Sequence, residues 1–328
     1  MPKISVIMPA YNAEKYIKEA MDSILNQTYG DFEFIVLNDC SRDRTEEIIL
    51  SYEDDRIVYV KNEQNMGVAA TLNKGLGLAK GDYIARMDAD DISMPERFAQ
   101  QVAALDANPK LAVLGTNTEI FNENGTICTG WSATNPDQMK VDLLFSCGLA
   151  HPSVMMRRQV IQAMGGYDLE FEGMEDYDLW CRVAEEHDVS TLPQILFRYR
   201  VHGAQVTKNP SEKYMQRLRS LKLRQLAQLG ISPDSAGVDR FCAGKRPENE
   251  EQILGTAQLY SRMLAANGAK GYYQPVLLER VLRGVILSAA MALGNEACKR
   301  IAGKTELLDM ATVRKTRFKQ TIKGLLKK

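Results

Sequence analysis

The sequence predicts an α/β domain over residues 1–205, built on a mixed, mostly parallel sheet, followed by a helical C-terminal region over 206–328. Three observations carry this. Short apolar runs alternate with helical periodicity from Lys3 to Met87, the pattern of βαβ units. Polar residues gather where those runs end: Tyr11 and Asn12, Asp39, then Asp88 to Asp91. In a parallel sheet such ends converge on one edge, which is where open α/β sheets bind ligands. Strand patterns then stop near Val206, where we place the boundary.

The elements follow in order. Lys3 to Pro9 carries Ile4, Val6, Ile7 and Met8 and reads as a buried parallel strand. Tyr16 to Asn26 has helical spacing. Phe32 to Leu37 is the second strand, Thr45 to Tyr52 a helix, and Ile57 to Val60 the third strand. Gly67 to Ala79 is a helix, and Tyr83 to Met87 a strand that delivers the acidic cluster. Pro95 to Asn108 is helical with Pro95 in its first turn. Leu111 to Leu114 and Thr118 to Phe121 read as two strands, and Asn124-Gly125 as a turn before Ile127 to Gly130, so the sheet becomes mixed here. Pro136 to Phe145 is helical; 148–157 reads as loop and strand, with a helix from Arg157. Gly165 to Asp168 is a turn, Met174 opens a helix to His187, and Ile195 to His202 is a strand. Beyond the boundary, Ser211 to Leu229, Pro247 to Ala266, Gln274 to Ala292 and Thr305 to Leu326 read as helices. There is no internal repeat or low-complexity tract.

Composition narrows the function. The chain has 328 residues, 45% hydrophobic and 25% charged, an ordinary globular balance. A net charge of −1 supplies no field that would steer it to nucleic acid. The six cysteines (Cys40, Cys128, Cys147, Cys181, Cys242, Cys298) contain no C-x-x-C and read as reduced core thiols of a cytoplasmic protein. Lys3 enters a strand at once, so no signal peptide is expected, and the longest apolar run, near Gly284 to Gly294, is too short to span a bilayer. There is no G-x-G-x-x-G after the first strand and no G-x-x-x-x-G-K-[ST], which argues against a dinucleotide or P-loop site.

Met87-Asp88-Ala89-Asp90-Asp91 is the chemical centre of this reading. Three carboxylates at a strand's carboxyl end, with Arg86 as the nearby cation, are the ligands that Mg²⁺ or Mn²⁺ prefers beside a diphosphate. A solvated acidic turn, with Arg86 as a structural counter-ion, is the alternative. Asp176 has two readings as well: a general base, or an acid favourable to a helix N-terminus. Trp180 reads as packing, while His151 reads as either cleft or loop.

Four segments then stand in order: Ser5-Val6-Ile7-Met8-Pro9-Ala10-Tyr11-Asn12, Val36-Leu37-Asn38-Asp39-Cys40-Ser41, Gly81-Asp82-Tyr83-Ile84-Ala85-Arg86-Met87-Asp88-Ala89-Asp90-Asp91, and Glu175-Asp176-Tyr177-Asp178-Leu179-Trp180. Together they resemble the family 2 glycosyltransferases, inverting enzymes of GT-A fold, over about residues 3–205. The resemblance implies a GT-A nucleotide-diphospho-sugar transferase fold, with a nucleotide-sugar half at 1–100 and an acceptor half at 101–205. It implies that Pro9, Ala10 and Tyr11 line the base pocket and that Asp39 accepts the N3–H of uracil. The usual D-D-G-S is here Asn38-Asp39-Cys40-Ser41, a departure that bears on the loop's shape. It places Asp88 near ribose or metal, Asp90 as main metal ligand with Asp91 adjacent, and Asp176 as catalytic base. Glu175 is expected to raise the pKa of Asp176 by like-charge proximity. Tyr199-Arg200-Val201-His202 looks like the family's late Y-R-x-H element, with Arg200 and His202 as phosphate or metal contacts.

The expected activity is inverting, Mn²⁺- or Mg²⁺-dependent transfer of a hexosyl or N-acetylhexosaminyl group. The donor is a UDP-sugar, with a dTDP-sugar as the lesser alternative, and the acceptor is a hydroxyl of a glycan or lipid-linked saccharide. A nucleotidyltransferase would want a glycine- and basic-rich loop where Ala10 to Glu14 stands. A non-catalytic sugar-nucleotide-binding protein would need no base at 176. Loops 116–150 and 165–176 are expected to shape sugar specificity. The basic segment 311–328 reads either as a solvated or partner-binding helix or as a peripheral contact with the inner face of a membrane.

Overall fold

The computed structural model describes residues 1–203, 211–234 and 237–316. It divides into two compact units, Met1–Pro210 and Ser211–Lys328.

The first unit is organised on a nine-stranded sheet. Its strands are β1 (Ile4–Ala10), β2 (Phe32–Asn38), β3 (Ile57–Lys61), β4 (Tyr83–Arg86), β5 (Ile92–Ser93), β6 (Leu111–Asn122), β7 (Gly125–Gly130), β8 (Met155–Arg157) and β9 (Asp188–Arg200). They lie in the order β3-β2-β1-β4-β8-β6-β9-β5, with β7 paired to β6. β1, β2, β3 and β4 are parallel to one another. β8 is antiparallel to both β4 and β6, so β6 runs with β4, and β9 runs parallel to β6. Six strands therefore point their carboxyl ends at one edge, and β5, β7 and β8 run the other way.

The central strands form because they can be buried on both faces. Every residue of β2 and of β4 is buried, and Ile4, Val6, Met8, Phe34 and Val36 pack with Ile17, Met21 and Ile24 of the helix Ile17–Leu25 in one apolar core. Gly81 lets β4 begin close to β1: a Cβ there would lie 2.6 Å from the Ile4 backbone. The end of β4 is braced from below by Arg97, itself fully buried, which donates to the Arg86 carbonyl at 2.8 Å and the Val154 carbonyl at 3.2 Å.

Several elements differ from the sequence reading. Leu111 to Phe121 is one strand rather than two, because register shifts around Thr116 and Asn117 absorb the polar interruption. The last strand begins at Asp188, not Ile195; its first half is polar but pairs with β6 throughout. The two-residue β5, unsuspected in the sequence, pairs Ile92 and Ser93 with Arg198 and Phe197.

The second unit contains the helices Glu212–Leu229, Val238–Cys242, Glu250–Lys270, Pro275–Ala292 and Asn295–Ala302. Ser211, Asn249 and Gln274 each cap their helix with a side-chain oxygen. Asn295–Ala302 was not expected, and the next helix starts at Met310 rather than Thr305. Most of the basic segment 311–328 lies outside the described residues. No described helix is long and apolar enough to cross a membrane.

Candidate active site

The carboxyl ends of β1 and β2 meet in two laced loops. Asn12 N donates to Ser41 Oγ at 3.0 Å, and Arg42 N to Asn12 Oδ1 at 2.9 Å. Ala13 N reaches Thr45 Oγ1 at 2.8 Å. Asn12 and Cys40 carry φ of 49° and 61°, the left-handed region. Asparagine tolerates it; a cysteine there occupies a conformation that glycine would take without strain. Pro9 and Ala10 end β1, Ala10 being buried, and Tyr11 is exposed beyond them.

Asp39 is buried at this edge. Its Oδ1 accepts from Asn62 Nδ2 at 2.7 Å and Met66 N at 2.9 Å, and its Oδ2 from Gly67 N at 3.1 Å. The β2 loop is thus tied to the N-terminus of the helix Val68–Leu78.

β4 delivers the acidic cluster. Asp88, Asp90 and Asp91 each offer a carboxylate oxygen within 4.8 Å of the others. Asp88 is ion-paired with the buried Arg86. β9 supplies the remaining partners. Arg200 N donates to Asp91 Oδ1 at 2.7 Å, Arg200 Nε to the Asp90 carbonyl at 2.6 Å, and His202 Nε2 lies 2.8 Å from Asp90 Oδ2. The Arg200 guanidinium also meets Glu19 and stacks between Tyr16 and Phe121, at 4.6 and 4.5 Å from the ring centroids. The first two of these contacts hold the Asp90–Asp91 turn. Asp91 Oδ2 is buried and has no hydrogen-bond partner among the described residues. Burial, with the charges of Asp88 and Asp90 added, holds the Asp91 carboxyl well above the usual range. A hard divalent cation would relieve that repulsion and satisfy the orphaned oxygen, so this all-oxygen donor set fits one.

The helix Glu175–Glu186 brings a second carboxylate pair. Asp176 is half-buried. Its Oδ1 accepts from Tyr177 N at 2.7 Å, while Oδ2 faces the Cys147 thiol at 3.6 Å. Burial raises the Asp176 pKa, with Arg86 acting in the opposite direction. Glu175 accepts from Gly173 N at 2.6 Å and is pushed up to about 7, by burial first and by the Asp176 charge second. The expected influence therefore runs from Asp176 to Glu175, and burial rather than its neighbour raises Asp176. Arg86 acts electrostatically on Asp88, Asp91 and Asp176 alike, which puts both carboxylate groups around one buried cation. His151 is buried, 2.9 Å from Tyr167 Oη and edge-on to Trp180; burial and Arg86 keep it neutral. It reads as a hydrogen-bonded wall of the site, and Trp180, fully buried, as packing.

Four residues were missed in the sequence: Arg97, Cys147, and the pair Asn73 and Glu172. Asn73 bonds the Tyr167 backbone and Glu172 bonds Val68 N and Ala69 N. No local signal marks them, because each acts on a segment remote in sequence.

Comparison with known proteins gives the family and the fold. Residues 5–165 match the family described as Glycosyl transferase family 2. An uncharacterized glycosyltransferase, MJ1057 of Methanocaldococcus jannaschii, is 34% identical over 68% of this chain and 76% of its own length. WfgD of Escherichia coli, a UDP-Glc:alpha-D-GlcNAc-diphosphoundecaprenol beta-1,3-glucosyltransferase, is 30% identical over 63% of this chain and 80% of its own. Among solved structures, S. aureus TarS 1-349 in complex with UDP-GlcNAc superposes with a TM-score of 0.57 at 19% identity, covering 89% of this chain and 92% of that one. The fold is that of a GT-A glycosyltransferase. The chain belongs to the family 2 glycosyltransferases.

Proposed function

We propose that the protein transfers a hexosyl or N-acetylhexosaminyl group from a UDP-sugar to a hydroxyl of a glycan or lipid-linked saccharide, with inversion at the anomeric carbon. The observation that carries this is the pairing of an acidic cluster at the end of β4 with a half-buried, pKa-raised Asp176, both within the field of Arg86. The donor in the name of WfgD and the ligand bound to TarS support a UDP-sugar, and the acceptor in the name of WfgD supports a lipid-linked saccharide.

In this reading Pro9, Ala10 and Tyr11 border the base and Asp39 accepts its N3–H. An ionised carboxylate offers about four acceptor positions, and three at Asp39 are taken by Asn62, Met66 and Gly67. Uracil and thymine present an N3–H to the one that remains; cytosine does not. Asp88, Asp90 and Asp91, with His202 behind Asp90, would hold Mn²⁺ or Mg²⁺, which neutralises charge growing on the leaving diphosphate. Arg200 keeps the Asp90–Asp91 turn in place. Asp176 takes the acceptor hydroxyl's proton at Oδ2, the oxygen that faces the Cys147 thiol, while Oδ1 holds the Tyr177 N–H. Such a base is worth roughly 10²–10⁴-fold. One displacement needs no protein nucleophile.

The test is UDP release from a panel of UDP-sugars and dTDP-sugars by the purified full chain, with and without Mn²⁺. Metal-dependent release of UDP from one sugar is the expected result. Neither binding nor turnover of any of these compounds with metal present would overturn the donor assignment.

A further inference from the structure

Two carboxylates share one helix N-terminus. The turn 66–69 presents four successive backbone N–H groups. Asp39 accepts the first two, from Met66 at 2.9 Å and Gly67 at 3.1 Å. Glu172 accepts the next two, from Val68 at 3.0 Å to Oε1 and from Ala69 at 3.2 Å to Oε2. The fit is close: a Cβ on Gly67 would lie 2.7 Å from Glu172 Oε1, and Gly67 has φ +83°. Further along the same helix, Asn73 donates to the Tyr167 carbonyl at 2.7 Å and accepts from Tyr167 N at 2.9 Å. Residues 167–172 are thereby docked on the helix Val68–Leu78 at both ends of the segment. The chain just before and just after these anchors is permissive, with Gly165, Gly166 and Gly173 all at positive φ. Glu175 and Asp176 come directly after.

We propose that Glu172 is a positioning residue that couples occupancy of the nucleobase pocket to the placement of the segment carrying Asp176. The proposal rests on the reading above, in which Asp39 faces the base and Asp176 takes the proton. A base N–H arriving at Asp39 bears on the Met66–Gly67 turn. Glu172 holds the adjoining Val68–Ala69 turn, so that the two carboxylates brace one rigid helix end from opposite sides. Ordering of the donor pocket then passes to 167–176 through the carboxylate of Glu172, with Asn73 as the second attachment. Misplacing a catalytic group by a fraction of an ångström to an ångström is enough to cost about tenfold to a hundredfold in rate.

Hydrogen exchange on the full chain, with UDP and Mn²⁺ as the probe, reads the coupling without turnover. In the wild type, UDP slows exchange at 66–69 and also at 167–176. Glu172→Ala binds UDP with about the same affinity and keeps the slowing at 66–69, but loses it at 167–176. Its kcat for UDP release falls about tenfold or more while the donor KM changes little. Glu172→Gln, which retains an acceptor oxygen, recovers part of both, and Asn73→Ala reproduces the loss by removing the other anchor. Wild-type protection at 167–176 in Glu172→Ala, or none there in the wild type, overturns the proposal. A wild-type chain that does not bind UDP fails the donor reading itself, before any variant is made. Full turnover in Asp176→Asn fails the base reading alone, since the exchange result still decides the coupling.

Discussion

The two carboxylate groups of the site are close in composition and differ in their direct partners. Each member of the β4 cluster has an electropositive partner: Arg86 on Asp88, His202 on Asp90, the Arg200 N–H on Asp91. The pair at the start of Glu175–Glu186 is held by backbone N–H groups and a thiol, and no ion pair to either acid is among the described contacts. Burial works against charge in both, lifting Asp91 as well as Asp176. The first set answers it with an arginine and a histidine in direct contact; the second has no such cation in direct contact among the described residues, which favours proton uptake there. In the proposed function the first set holds the cation and the second accepts the proton, and their direct neighbours distinguish them.

The sharpest way to break this comparison is at Asp90. Asp90→Asn should abolish the Mn²⁺-dependence of UDP binding, read by calorimetry with and without metal, whereas substitutions at 175 or 176 should leave that dependence intact. Loss of metal dependence from both groups would erase the distinction. His202→Ala removes the partner of Asp90 and should weaken Mn²⁺ binding by about 10–100-fold.

Glu175 sharpens the other half through stability. Its folded pKa, about 7, lies above the ordinary 4.5, so the folded state holds the proton more tightly. Its contribution is full below 4.5 and lost as pH rises through about 7. Glu175→Gln, which keeps an acceptor for Gly173 N–H, should therefore stabilise the protein at pH 8 by up to about 3 kcal/mol, with little change near pH 4.5. Thermal unfolding at both pH values measures it; equal effects at the two would mean the burial penalty is absent. A smaller effect concerns the rate profile. Because burial raises Asp176, the acid limb of kcat/KM should fall above the ordinary aspartate value of about 3.9, and a limb at or below that value would contradict the environment described.

The same contrast explains what was legible in the sequence. β1, β2 and β4 are buried on both faces, so each is a run of apolar residues that declares itself. Asp88, Asp90 and Asp91 follow such a run directly, and their position at the sheet edge could be read from it. β9 could not be read in full: Asp188, Ser190 and Thr191 are polar, and only pairing with β6 makes them a strand. The Cys147–Asp176 contact joins residues 29 apart, and Glu172 reaches N–H groups 103 and 104 residues upstream. Sequence patterns report local burial; they do not report which remote backbone a side chain will cap. Arg200 shows the limit from the other side, since its position could be read but its contacts with Asp90, Asp91, Glu19 and two aromatic rings could not.

The measurement that tests the account most directly is the turnover and UDP·Mn²⁺ affinity of Asp176→Asn, measured side by side. A proton-accepting Asp176 distinct from the metal cluster predicts a kcat lower by roughly 10²–10⁴-fold with affinity unchanged. Turnover near the wild-type level, or a parallel loss of UDP·Mn²⁺ binding, would contradict it.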